Sequence, residues 1–189
     1  MNKVDNLKLF DLSSLSFGQY VKSVQDRGVN YLQVKNFSDN GSYLNNVDNY
    51  IAEADFKNSM LLEQDDVLFV SKGMRFFAYK YDKNIGDAVA SSIFYIIKAN
   101  KEKILSDYLV CILNHPKSIA YFNGVSAGSS IPSIRKKELL DFVVAVPPIK
   151  EQVKIVEIFL NHQRQIKLFE QLREKKQNLF NELINKLIE

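Results

Sequence analysis

Over the first three quarters of the chain, apolar positions fall in short alternating or continuous runs; after residue 148 they settle into one long helical period. Five runs have strand length and β-branched or aromatic content: Tyr31-Leu-Gln-Val34, Val67-Leu-Phe-Val70, Phe76-Phe-Ala-Tyr79, Ser92-Ile-Phe-Tyr-Ile-Ile97 and Phe142-Val-Val-Ala-Val146. Turn signals separate them at Ser38-Asp-Asn-Gly41, Ser71-Lys-Gly73, Asn84-Ile-Gly86 and Gly124-Val-Ser-Ala-Gly-Ser-Ser130. Ser106 is placed to cap a helix through Leu109, Cys111 and Leu113 that ends at Asn114-His115-Pro116. Ser133 is placed to cap a shorter one ending near Leu140. The pattern predicts an α+β domain with a mixed, twisted sheet.

From Ile149 to Glu189 there is neither Pro nor Gly. Ile155, Ile158, Phe159, Ile166, Phe169, Leu172, Leu179, Phe180, Leu183 and Leu187 recur at three- and four-residue spacing, interrupted where Lys176 takes a seam position. Pro148 suits a first helical turn. A break near Asn161-His162 is expected, leaving a second helix of roughly 40 Å from Gln163 at 1.5 Å per residue. Such a helix needs something to cover its apolar stripe: the preceding domain, a second copy, or another protein. No earlier segment offers a helix of matching length, which favours an intermolecular coiled coil. The chain therefore divides into a domain over 1–147 and a helical region over 148–189.

Composition narrows the class. The chain has 189 residues, 46% of them hydrophobic, with 13 Phe, 9 Tyr and no Trp, enough to fill one core. One cysteine, Cys111, gives no disulfide framework and points to a reducing, cytoplasmic setting, with the thiol as a small buried side chain. No run reaches the ~18–20 apolar residues that span a bilayer, and the first ten residues do not form a secretory signal. With 25 Lys+Arg against 22 Asp+Glu, the chain is no polyanion binder by charge alone; a nucleic-acid face would have to gather cations locally.

Catalytic constellations are not evident. His115 and His162 stand far apart beside a single cysteine, without zinc spacing. There is no phosphate-cradling Gly-rich loop ending in Lys-Ser/Thr and no nucleophile elbow. Glu174-Lys175-Lys176 has a carboxylate–x–lysine spacing but reads as a solvated helix face. No catalytic or metal-ligating residue is assigned.

The segment Leu139-Leu-Asp-Phe-Val-Val-Ala-Val-Pro-Pro-Ile-Lys-Glu-Gln152 resembles the junction of type I restriction–modification specificity subunits, where a strand ending in Pro-Pro precedes Glu-Gln and a long helix. Tyr31-Leu-Gln-Val-Lys-Asn36, Gln64-Asp-Asp-Val-Leu-Phe-Val-Ser-Lys-Gly73 and Ser129-Ser-Ile-Pro-Ser-Ile134 resemble upstream segments of that family in the same order, with Gln64-Asp65 where the family has Gly-Asp. The resemblance implies a DNA target-recognition domain followed by a conserved helical region. It also implies a non-catalytic chain that gives sequence specificity to a methyltransferase, which itself binds S-adenosylmethionine, and to an endonuclease. The family usually carries two recognition domains and two helices. One of each implies a half-subunit that dimerises through its helix, a fragment, or a silent cassette. A homodimer on antiparallel helices would read inverted half-sites, an interrupted palindrome in double-stranded DNA. The competing class is a coiled-coil adaptor without DNA specificity.

Base reading requires donors and acceptors on groove-reaching loops. Lys72, Gly73 and Arg75 follow a strand at a turn, and the Arg75 fork suits guanine or phosphate. Lys35 and Asn36 end another strand, and Asn pairs bidentately with adenine. Ser126, Ser129 and Ser130 make a donor-rich loop. Arg135, Lys136 and Lys137 form the chain's single run of three cations, at a helix start where they oppose the helix dipole and invite an anion. On the helix, Ile166, Phe169, Leu172, Leu179, Phe180, Leu183 and Leu187 are the expected partner interface, and His162 is expected at the bend.

Overall fold

The computed structural model of the chain describes residues 4–25, 28–52, 57–127 and 130–188. In chain order its elements are β1 (Asp5–Lys8), α1 (Leu9–Leu12), β2 (Ser13–Phe17), β3 (Val29–Leu32), β4 (Tyr50–Ile51), β5 (Val67–Val70), β6 (Ala78–Lys80), β7 (Ala88–Ala90), β8 (Phe94–Ala99), α2 (Ser106–Leu113), α3 (Pro116–Val125), α4 (Lys136–Leu140), β9 (Val143–Val146) and α5 (Ile149–Ile188). The strands form three sheets of order β2-β8-β5-β6, β4-β3-β7 and β1-β9. Pairing is antiparallel except for β3 with β7. The α+β architecture with a long final helix is as the pattern predicts.

β5 and β8 read as unbroken apolar runs because both of their faces are covered. Val67 and Phe69, with Tyr95 and Ile97, face one core shared with Leu9, Leu109, Leu113, Phe122, Leu139 and Val144. Leu68 and Val70, with Phe94 and Ile96, face a second core around Leu32, Phe37, Phe77 and Tyr81. In the second core Phe37 meets Phe77, Tyr79 and Phe94 with ring centroids 4.9–5.7 Å apart. Each buried side chain of this size contributes about 1.5–3 kcal/mol relative to exposure.

Three local expectations change. Ser106 occupies the first helical position of α2, and Leu105 precedes it as the cap. Arg135, not Ser133, precedes α4, and its backbone N–H donates to the Glu138 carboxylate at 2.6 Å. Pro116 ends α2's run but also starts α3, because a first-turn proline lacks only an N–H that would go unused. Gly124 thus lies inside α3, and Ser126 is buried with its hydroxyl donating to the Asn123 carbonyl. Asn114, read only as a helix stop, donates to the Ala78 carbonyl at 2.8 Å and accepts the Ala78 N–H at 2.7 Å, covering the edge of β6 like a further strand.

α5 runs through Asn161 and His162 without a break. Both side chains are exposed, and each lowers helix propensity by under ~1 kcal/mol, too little to interrupt a helix that lacks Pro and Gly. At 40 residues it is about 60 Å long. It does not fold back on the sheets: beyond its first turns the side chains are mainly exposed, including Phe169, Leu172, Phe180, Leu183 and Leu187. Among the described residues, no helix is long and apolar enough to cross a membrane.

Candidate nucleic-acid interface

Past the end of β5 the chain meets the segment that precedes α4. The Ile134 N–H donates to the Ser71 carbonyl at 2.7 Å, the Gly73 N–H donates to the Pro132 carbonyl at 2.9 Å, and Lys72 bridges Ser133. Residues 71–74 and 131–134 are therefore a short antiparallel ribbon. Tyr95, buried in the first core, donates its hydroxyl to the Ile134 carbonyl at 2.9 Å, and the Ser71 hydroxyl donates to Ile93 at 2.6 Å. Burial raises the Tyr95 phenol above its usual range, so it remains a donor at neutral pH. Gly73 sits at φ +128°, a backbone that other residues adopt only under strain, although a Cβ there would meet nothing within 4 Å.

This ribbon carries Lys72 and Gly73, and Ser130, Arg135 and Lys136 flank its second strand in the chain, some sixty residues further on. Lys72, Ser130 and Arg135 are exposed, and among the described residues neither Lys72 nor Arg135 forms an ion pair with a carboxylate. Lys136 is partly engaged: its ammonium donates to the Leu15 carbonyl at 3.1 Å and lies 5.6 Å from the centre of the Phe17 ring. Ser129 lies outside the described residues.

Two expected base readers have other work. The Arg75 guanidinium donates to the carbonyls of Val34 (3.1 Å) and Phe37 (2.9 Å), pairs with Asp39 and lies over the Phe77 ring. It ties the ribbon's turn to the 34–39 turn, with three of its N–H donors engaged there. Asn36 is 1% exposed; its side chain accepts from the Gln33 N–H at 2.8 Å and donates to the Asn46 carbonyl at 3.1 Å. A carboxamide held this way cannot reach a base, so the reading of Asn36 as an adenine contact is corrected. The segment is also a 3₁₀ turn rather than a strand end, and the turn drives Asn36 inward. Lys35 remains exposed but is paired with Asp48 at 2.7 Å, which holds the Asp48 carboxyl below the usual range.

The junction has a buried key among the residues of its Pro-Pro-Ile-Lys-Glu-Gln segment. Gln152 is fully buried; its side-chain oxygen accepts the Leu105 N–H at 2.9 Å, and its NH₂ donates to the carbonyls of Pro147 (2.9 Å) and Lys103 (3.0 Å). One carboxamide thus fastens α5 to the loop before α2 and to the strand end. Val156, one turn further on, completes the first core. The signal was the Gln itself: an uncharged polar residue on the inward side of a helix's first turns. His162, expected at a bend, is exposed on the continuous helix. Cys111 is half-buried, and its thiol is pushed up by burial.

A sheet domain that carries a cation-bearing ribbon and continues, through a buried Gln after Pro-Pro, into a long helix with an exposed apolar stripe defines a class of two-part proteins. The chain belongs to the type I restriction modification DNA specificity domain family, whose model matches residues 7–176. Among solved structures it is similar to a chain from work on complex assembly and conformational transition of the type I R-M system (TM-score 0.61, 16% identity, 92% of this chain and 41% of that one). It is also similar to a type I S subunit from M. genitalium (0.61, 11%, 88% and 40%) and to the HsdS subunit from Thermoanaerobacter tengcongensis (0.64, 16%, 87% and 38%). The chain spans about two fifths of each of these structures. No curated protein sequence matches it.

Proposed function

We propose that the chain carries one recognition domain of a DNA specificity subunit, which reads one half of a bipartite site in double-stranded DNA and brings a partner adenine methyltransferase, and with it an endonuclease, to that site. The observation that supports this most is the ribbon of residues 71–74 and 131–134, where Lys72 and Arg135 stand exposed on a rigid, core-anchored support. Cations on such a support fix register on the phosphate backbone, and neighbouring polar groups read base edges. In this reading Lys72, Gly73, Ser130, Arg135 and Lys136 form the DNA face. S-adenosylmethionine belongs to the partner methyltransferase.

The second half of the proposal concerns α5. Its exposed Ile166, Phe169, Leu172, Leu179, Phe180, Leu183 and Leu187 pair with the same helix of a second copy, giving two heads related by a two-fold axis. Helix length then sets the gap between half-sites. The test is recovery of partners from host lysate on the tagged chain, with the bound proteins identified by mass spectrometry. An adenine-methyltransferase chain is expected. Recovery of unrelated proteins without a methyltransferase would overturn the reading in favour of an adaptor.

A further inference from the structure

We infer that Phe17 is a positioning residue for DNA binding: its ring, with the Leu15 carbonyl, holds the Lys136 ammonium ready for one phosphate before the duplex arrives. The inference rests on the proposed DNA-reading role of the face that includes Lys136. Phe17 ends β2 and Lys136 opens α4, more than a hundred residues further along the chain. The Lys136 ammonium donates to the Leu15 carbonyl at 3.1 Å and lies 5.6 Å from the centre of the Phe17 ring. The ring is itself fixed. It packs edge-on against Tyr95 with centroids 5.3 Å apart, and the Tyr95 hydroxyl donates to the Ile134 carbonyl, two residues before Lys136. Strand end, ring and helix start thus close a circuit of contacts around one lysine.

A half-exposed phenylalanine alone carries no message. The cation over it does. A surface lysine has many rotamers and loses most of them when it grips a ligand, which weakens the contact. Lys136 gives up that freedom on folding, so less is lost on binding. An ammonium has three N–H donors. One serves Leu15, the negative face of the ring attracts the charge, and Lys136 stays exposed, so the remaining donors are open to an anion. Among the described residues no carboxylate forms an ion pair with it. Asp11 and Asp141 line the cleft beside it with Lys8 and Lys137, but Asp141 is paired with Lys8 at 2.7 Å. Glu138 accepts the Arg135 backbone N–H. Arg75 makes the contrast: it too lies over a ring, that of Phe77 at 5.7 Å, yet Asp39 and two carbonyls already hold its guanidinium. At Lys136 the place that Asp39 takes is left for an anion from outside, and on a DNA-reading face that anion is a backbone phosphate.

The test uses the full chain alone and a duplex carrying the sequence that the chain selects from a random pool, with affinity read by fluorescence anisotropy across a salt series. Phe17→Leu is expected to weaken binding about two- to fivefold, the size of an exposed cation–π contact. The log–log salt slope should not change, because the charge still reaches its phosphate. Lys136→Met keeps the stem, removes the charge and is expected to lower that slope by roughly 0.9. In the Lys136→Met background Phe17→Leu is expected to cost nothing further. Phe17→Tyr, which keeps the ring, is expected to bind as wild type. No loss from Phe17→Leu, or an equal loss in both backgrounds, would overturn the inference, since the ring would then not act through the lysine; a purely structural role for Phe17 gives the equal loss. Tighter binding by Phe17→Leu would contradict it as well, because the ring would then be holding the ammonium back. An unchanged slope in Lys136→Met would take Lys136 off the DNA and end the inference, with Lys72 and Arg135 still in place. Failure to select any sequence would overturn both the inference and the reading on which it rests.

Discussion

Gln152 and Lys72 show how differently two polar residues serve this molecule. Gln152 is buried with its oxygen and both NH₂ hydrogens in use, so Gln152→Ala leaves the Leu105 N–H and the carbonyls of Lys103 and Pro147 without a partner. Each such group costs about 1–3 kcal/mol, and a domain of this size loses roughly 2–4 °C per kcal/mol. Thermal unfolding of Gln152→Ala is therefore expected several degrees below wild type, cooperatively and with DNA specificity intact in the folded fraction. Lys72→Ala and Arg135→Ala should do the opposite. Each leaves the melting temperature within about 1 °C and, where the residue contacts a phosphate, lowers the log–log salt slope of DNA binding by roughly 0.9. Slopes unchanged in both variants would move the DNA face elsewhere. Lys72 and Arg135 were legible as candidates because cations beside turns are conspicuous in sequence. The engagement of Asn36 and Arg75 was not, since it depends on Gln33, Asn46, Val34 and Phe37 arriving from a 3₁₀ turn that apolar periodicity does not report.

Among the elements, the most readable were those with extreme patterns. β5 and β8 are continuous apolar runs because both faces are buried, and α5 is a long period without Pro or Gly. The strands missed were short or polar, and the ten-residue α3 was hidden behind a proline that reads as a stop. β1 and β2 (DNLK and SSLSF) carry few apolar residues because they lie at sheet edges, and β4 has two residues. The helix break expected at Asn161-His162 failed because two weak helix formers on an exposed face cannot stop a helix that continues favourably on both sides. α5 also carries a prediction of its own. Lys176 interrupts a seam that runs from Ile166 through Phe169 and Leu172 to Leu179 and Leu183. Lys176→Leu is expected to tighten self-association, and Phe169→Asp, which alters an exposed side chain, to dissociate it without changing the helical content of the monomer. Sedimentation equilibrium across a concentration series reads both, and a monomeric wild type at all concentrations would contradict pairing through α5.

At the scale of the whole molecule, the ribbon and the helix are joined through one packed centre. The ribbon hangs from Tyr95 of β8, and the helix is fastened by Gln152 beside α2, whose Tyr108 hydroxyl in turn donates to Ala145 of β9 at 2.7 Å. A head fixed rigidly to its helix means that pairing two helices sets both the orientation and the spacing of two heads. The most direct test of that account is to sequence the duplexes that the purified chain retains from a random pool. The account predicts one half-site motif present twice, in inverted orientation, across a single fixed gap. Half-sites in direct orientation, a variable gap, or no enriched sequence would contradict it.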